Sequence, residues 1–296
     1  MTRLMQYLIL IIAAIAVSWA AIFIRLADAD PIAIAFYRMA LAVLILAPLS
    51  AVSSFRKLTK LTKRNLLLLS ISGLFLGIHF ASWIASLKYT SIANSVIIVS
   101  THPFLIAIAE AIILKTKIGR WTIIGMILAI SGMIVIFSSS LGFSNSGILG
   151  ELLAFIGAVC AAGYLLTGRI IRQDMKNRDY IFLVYLFAAL ILSIIALITN
   201  TSLFGFDEQT WLFFVLLALI PQVIGHSLYN FLLKHMKAHL VGLAILGEPI
   251  GASFLAILIF SEFPPTETYI GGGLILAGIA LALIRMKSDD KSVETA

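Results

Sequence analysis

Two proline-marked pairs carry the chemistry most worth following in this sequence. His102 is followed by Pro103, and Glu248 by Pro249, each inside a long apolar run. A proline removes one backbone donor and leaves a carbonyl one turn back without its partner. Such a carbonyl is tolerated at membrane depth where it lines a cavity or meets a neighbouring group. Glu248 lies about nine residues into its run, about 14 Å at 1.5 Å per residue, in a hydrocarbon core about 30 Å thick. A charged side chain near that midplane costs at least about 2.5–3.5 kcal/mol on insertion scales. The carboxyl is therefore a candidate proton carrier, His102 its candidate companion, and Pro103 and Pro249 candidate hinges. The structural alternative is a neutral Glu hydrogen-bonded between helices, with kinks that only shape packing.

Other polar groups fall at related depths. His79 with Trp83, and His226 with Tyr229 and Asn230, each put an imidazole and its neighbours one turn on along one helix face. That wall suits an amphipathic solute; interhelical hydrogen bonds acting as glue are the alternative. Arg38, about 10 Å below its nearer interface, is placed to hold a substrate carboxylate bidentately or to pair with Glu151. Glu110 reads as an interface carboxylate that snorkels, and Trp19 as a cavity-lining aromatic or plain core. The histidines and the carboxylate come from four helices without a short ligand spacing, so no metal is expected. The single cysteine, Cys160, lies in an apolar run and reads as packing.

The elements that must position these groups follow from composition. Of 296 residues, 61% are hydrophobic and 12% charged, against about 45–50% and about 25% in soluble domains. A soluble protein is excluded. Apolar runs at about 4–24, 31–52, 65–87, 91–114, 120–140, 147–168, 179–199, 210–233, 239–260 and 267–284 predict ten transmembrane helices. The formal charge of +7 comes mostly from short alternate connections: Arg56, Lys57, Lys60, Lys63 and Arg64; Lys115, Lys117 and Arg120; Arg169, Arg172, Lys176 and Arg178; Lys234 and Lys237. The positive-inside rule puts these connections and both termini in the cytoplasm. The loops are too short to build a nucleic-acid-binding face.

The chain also repeats itself. The run from His102 matches the run from Glu248 at an offset of 146, with Pro103 on Pro249, Gly125 on Gly271 and Gly132 on Gly278; His79 meets His226 at 147. Five spans per half is an odd number, so the second half enters the membrane from the opposite side and the repeat is inverted. Such repeats build many secondary transporters, with sites at the repeat interface near the midplane.

With Ser18-Trp19, Phe36-Tyr37-Arg38, the stretch LGEPIGASFLAILIFSEFPP and the segment PQVIGHSLYN at 221–230, the chain resembles the EamA-type branch of the drug/metabolite transporter superfamily. It departs at one place: the second half ends its fourth helix with Ser261-Glu262, where the first has Lys115-Thr116-Lys117. The resemblance implies gradient-driven export of small metabolites, often amino acids or related compounds, across the cytoplasmic membrane.

The expectation is an all-α multi-pass membrane protein in the plasma membrane. Its units are an EamA-like repeat at 5–138, a second at 147–285 and a polar cytoplasmic tail at 286–296. It is expected to be a secondary transporter with alternating access, exporting a small metabolite coupled to protons, with no cofactor. Expected partners are the small-molecule substrate, protons, the lipid bilayer and optionally a second copy in a homodimer. A flippase for a lipid-linked carrier is the alternative. An intramembrane enzyme is less favoured, because there is no G-x-S-x-G elbow, no H-E-x-x-H and no aspartate in a span. The absence of a G-x-x-x-x-G-K-[ST] loop argues against an intrinsic ATPase.

Overall fold

The computed structural model describes residues 3–113, 118–140, 145–172, 175–232 and 245–293, and every regular element among them is helical. The first half contains α1 (Arg3–Ser18), α2 (Ala20–Leu26), α3 (Pro31–Leu58), α4 (Lys63–Ser86), α5 (Ile92–Val99), α6 (His102–Ile113) and α7 (Arg120–Ser140). The second contains α8 (Asn145–Ile171), α9 (Asn177–Ile198), α10 (Glu208–Leu217), a π-helical turn at Ala218–Gly225, α11 (His226–Leu232), α12 (Gly247–Phe260) and α13 (Thr266–Val293).

Starts and stops follow local chemistry. Asp30 caps α3 by accepting from the Ile32 amide, with Pro31 supplying a first residue that has no amide to satisfy. Thr62, Ser91 and Asp207 cap α4, α5 and α10 in the same way. Two hydrogen bonds from Thr210, one of them from its backbone amide, hold the exposed Asp207 carboxyl below its ordinary value. Ser261 closes α12 in the left-handed region at φ 53°.

Eight helices are long and apolar enough to cross a membrane, and two shorter apolar ones, Gly247–Phe260 and Thr266–Ala282, occupy the last two expected positions. The ninth run is short because residues 233–244, its approach, lie outside the described set. Three spans expected as single rods are interrupted. The first breaks at Trp19, the fourth at Ser100-Thr101, and the eighth changes to π geometry around Pro221. Large apolar side chains such as Leu49, Val52, Ile127, Leu197 and Leu258 face outward along the helices. So much exposed apolar surface suits lipid rather than water.

Repeat-equivalent helices meet each other, α3 with α9 and α7 with α13, and α5 of the fourth span meets α12 of the ninth. In the last pair Gly125 touches Gly278 and Gly132 touches Gly271. One residue number rises along its helix as the other falls, so these equivalents run antiparallel. A Cβ built on Gly278 would stand 2.5 Å from the Gly125 carbonyl oxygen, and one on Gly271 equally close to that of Gly132. Gly132→Leu is accordingly expected to cost about 1–3 kcal/mol by overpacking. A thermal melt of the purified protein would show it as a clear drop in Tm; an unchanged Tm would refute this contact. Gly73 and Gly251 play the same part against Phe187 of α9 and Ser18 of α1.

Candidate functional site

Arg38 is the bulkiest fully buried side chain among the described residues, 1% exposed, about two turns into α3. Its Nε donates to Gln222 Oε1 at 2.8 Å. Its guanidinium carbon lies 4.1 Å from the Phe80 ring centroid and 5.6 Å from that of Trp83. The cation–π contacts stabilise its charge without using its donors. Arg38 Nη1 and Trp83 Nε1 are two buried donors without a hydrogen-bond acceptor.

Titratable groups from both halves surround this cation. Glu248 and Tyr185 lie within its electrostatic range, as do His79 and His226, and His102 lies within range of His79. Tyr185 shares a side-chain hydrogen bond with Gln222. Tyr229, in the α1–α11 contact with Leu10, Ala13 and Val17, lies within range of Glu248. The imidazole of His79 stacks on Trp83 with centroids 6.0 Å apart.

Hydrogen bonding fixes two tautomers. His79 Nδ1 is 2.9 Å from the Gly157 carbonyl, and His102 Nδ1 is 3.0 Å from that of Val99. A carbonyl only accepts, so each Nδ1 carries the proton and Nε2 is the acceptor of the neutral ring. Ser100 and Thr101 also bond back, to Val96 and Ile98 carbonyls. The α5–α6 break therefore has its freed carbonyls met by side chains, next to Pro103. Its counterpart is the turn at Leu246, after which α12 begins with Glu248 and Pro249 in its first turn. Both half-helices thus start beside the cluster, and helix N-termini favour negative charge.

The sequence-predicted residues divide as follows. Arg38, His79, Trp83, His102, His226, Glu248 and Tyr229 come together. Trp19 stacks its ring on Phe23 at 5.4 Å and packs against the main core. The side chains of Asn230 and Glu110 lie outside the described ones. The pairing of Arg38 with Glu151 is corrected: Arg38 meets Gln222 on the π-helical turn, while Glu151 Oε1 accepts from Asn94 Nδ2 at 3.0 Å. Asn94 Oδ1 in turn accepts from Thr268, linking α5, α8 and α13. Gln222 went unnoticed in the sequence, although an amide four residues before His226 in an apolar run was a usable signal.

A second network joins the halves at the end of the bundle away from the basic connections. Arg25 donates to Glu262 Oε2 at 3.0 Å and to the Leu87 and Thr90 carbonyls, while Glu262 Oε1 accepts from the Ile92 amide. The side chains are 28% and 21% exposed, so the pair contributes about 1 kcal/mol or less. Glu262→Gln is expected to lower Tm by roughly 2–4 °C at most, with Glu262→Asp intermediate. A Tm unchanged in both would show that this bridge holds nothing.

An all-helical, outwardly apolar chain with a charged cluster enclosed between its halves is a multi-pass membrane protein of the transporter type. The chain belongs to the EamA-like transporter family, whose sequence model matches residues 4–138 and 148–284. It is 26% identical to "Uncharacterized transporter YyaM" of Bacillus subtilis (strain 168) over 264 residues, covering 86% of this chain and 84% of that one. It is 25% identical to an uncharacterized transporter of Archaeoglobus fulgidus over 276 residues, covering 89% and 92%. A solved crystal structure of another protein superposes with a TM-score of 0.65 at 17% identity, covering 96% of this chain and 98% of that one. At that identity the likeness shows the fold alone.

Proposed function

We propose that the protein is a secondary transporter of the plasma membrane that exports a small carboxylate-bearing metabolite, an amino acid or related compound, in exchange for protons. Ten helices cross the membrane in two inverted units with both termini cytoplasmic, and the units exchange conformations to expose the site alternately. The observation that carries the reading is the buried Arg38 with an unused donor, beside Glu248 and two helix starts. A carboxylate accepts from Arg38 Nη1 and Trp83 Nε1 and gains from the helix N-termini. Phe80, Trp83 and the imidazoles flank its apolar part. Glu248 carries the proton, because an unpaired charge at that depth is costly and the substrate's arrival changes its surroundings.

The test compares metabolites in the medium of cells with and without the protein, then measures uptake of any enriched compound into inverted vesicles with and without a pH gradient. A carboxylate enriched outside, with vesicle uptake that collapses with the gradient, is the expected result. Enrichment of a lipid-linked carrier in one leaflet instead would establish the flippase reading.

A further inference from the structure

At the basic end, a cleft of about 380 Å³ opens where the C-terminus of α3 meets the N-terminus of α9. Arg56, Lys57, Lys60, Lys176 and Arg178 line it against one carboxylate, Asp179. That carboxylate is already engaged: Oδ1 accepts from Ser53 at 2.6 Å and Ser54 at 3.3 Å, and Arg178 Nε stands 3.8 Å away. Asp179 is buried, so it anchors the floor of the cleft without neutralising the other four cations. A second cleft, of about 570 Å³, adjoins along Lys176 and Arg178 and adds Arg172.

Two further observations say what fits. Directly along α3 from Arg56, at intervals of three and four residues, Val52, Leu49 and Ile45 form an exposed apolar stripe, and Phe55 beside them is also exposed. A cationic cleft continuous with a strip of exposed hydrocarbon matches an amphiphile, not a free ion. Moreover, α3 and α9 are repeat equivalents that pack against each other, yet at their other ends residues 27–34 and 198–206 contain no Lys or Arg. The charge therefore belongs to one leaflet and not to the scaffold.

We propose that this cleft binds the phosphate headgroup of an anionic membrane lipid, its acyl chains lying along Leu49, Val52 and Phe55. Basic pockets between transmembrane helices at the cytoplasmic surface recognise such headgroups. The site lies apart from Arg38 and Glu248 and does not depend on what the protein transports.

The test is native mass spectrometry of the full-length protein in detergent with phosphatidylglycerol, phosphatidylcholine or inorganic phosphate added, alongside thermal melts. Phosphatidylglycerol is expected to remain bound and to raise Tm, phosphatidylcholine to do neither. The triple variant Lys57→Gln/Lys60→Gln/Lys176→Gln is expected to retain it at least tenfold less, with an unchanged lipid-free Tm, and the corresponding triple Arg variant to retain it fully. Equal retention of the two lipids, or of phosphatidylglycerol by wild type and the Gln variant, overturns the proposal. A Tm rise with inorganic phosphate equal to that with the lipid also overturns it, replacing a lipid site by a phosphate site. Should the Gln variant not fold, the comparison of the two lipids on the wild type decides.

Discussion

Glu248→Gln is expected to reduce pH-driven uptake into inverted vesicles at least tenfold while leaving exchange of labelled for unlabelled substrate intact. The amide keeps the shape and hydrogen-bonding capacity of the carboxyl but neither carries nor releases a proton. If Glu248 couples proton to substrate, the proton-loaded return of the substrate-free carrier fails, whereas exchange, which never needs the substrate-free carrier to return, survives. A tenfold loss corresponds to about 1.4 kcal/mol, modest for a group in range of the buried Arg38. Equal pH-driven uptake by wild type and variant would remove Glu248 from coupling and leave His102 as the next group to test. Loss of both modes would assign Glu248 to substrate binding instead.

Arg38→Gln is expected to raise the KM for a carboxylate substrate by about ten- to a hundredfold, as loss of a hydrogen bond to a charged group, about 1.5–3 kcal/mol, predicts. Arg38→Lys should recover little of it: the ammonium keeps the charge but lacks the planar fork and stacks less well on Phe80 and Trp83. A melt measured alongside separates binding from stability, because Arg38 also holds Gln222 and with it the π-helical turn to α3. If both variants melt below wild type but keep its KM, Arg38 is a packing residue and the carboxylate reading fails.

Much of this arrangement was legible in the sequence, for identifiable reasons. Helices were visible because apolar length is counted along the chain, and the two repeat units because offset and proline coincide in both halves. Interrupted spans were not, since Ser100 and Thr101 are as acceptable inside a helix as at its break; only their hydrogen bonds to Val96 and Ile98 reveal the stop. Partners were the least legible. Charge offered Arg38 either a substrate carboxylate or Glu151, yet the fold brings it an amide from 184 residues away. Opposite charge ranks partners only when distance is known, and the helix pairing that sets distance is not written in local periodicity. The Arg25–Glu262 bridge was missed for the same reason, its members being 237 residues apart.

The crossing of α7 and α13 constrains how the sequence can change. At each glycine of the contact, the nearest obstacle a methyl group would meet is a carbonyl oxygen of the facing helix. Ordinarily a bulky substitution can be rescued by trimming the side chain it strikes, but a carbonyl oxygen is common to all twenty residues and cannot be trimmed. Second-site suppressors of Gly125 or Gly132 variants should therefore not map to Gly271 or Gly278. They should map to positions that let the two helices slide or part, so genetic selection would trace the axis of the crossing without a structure.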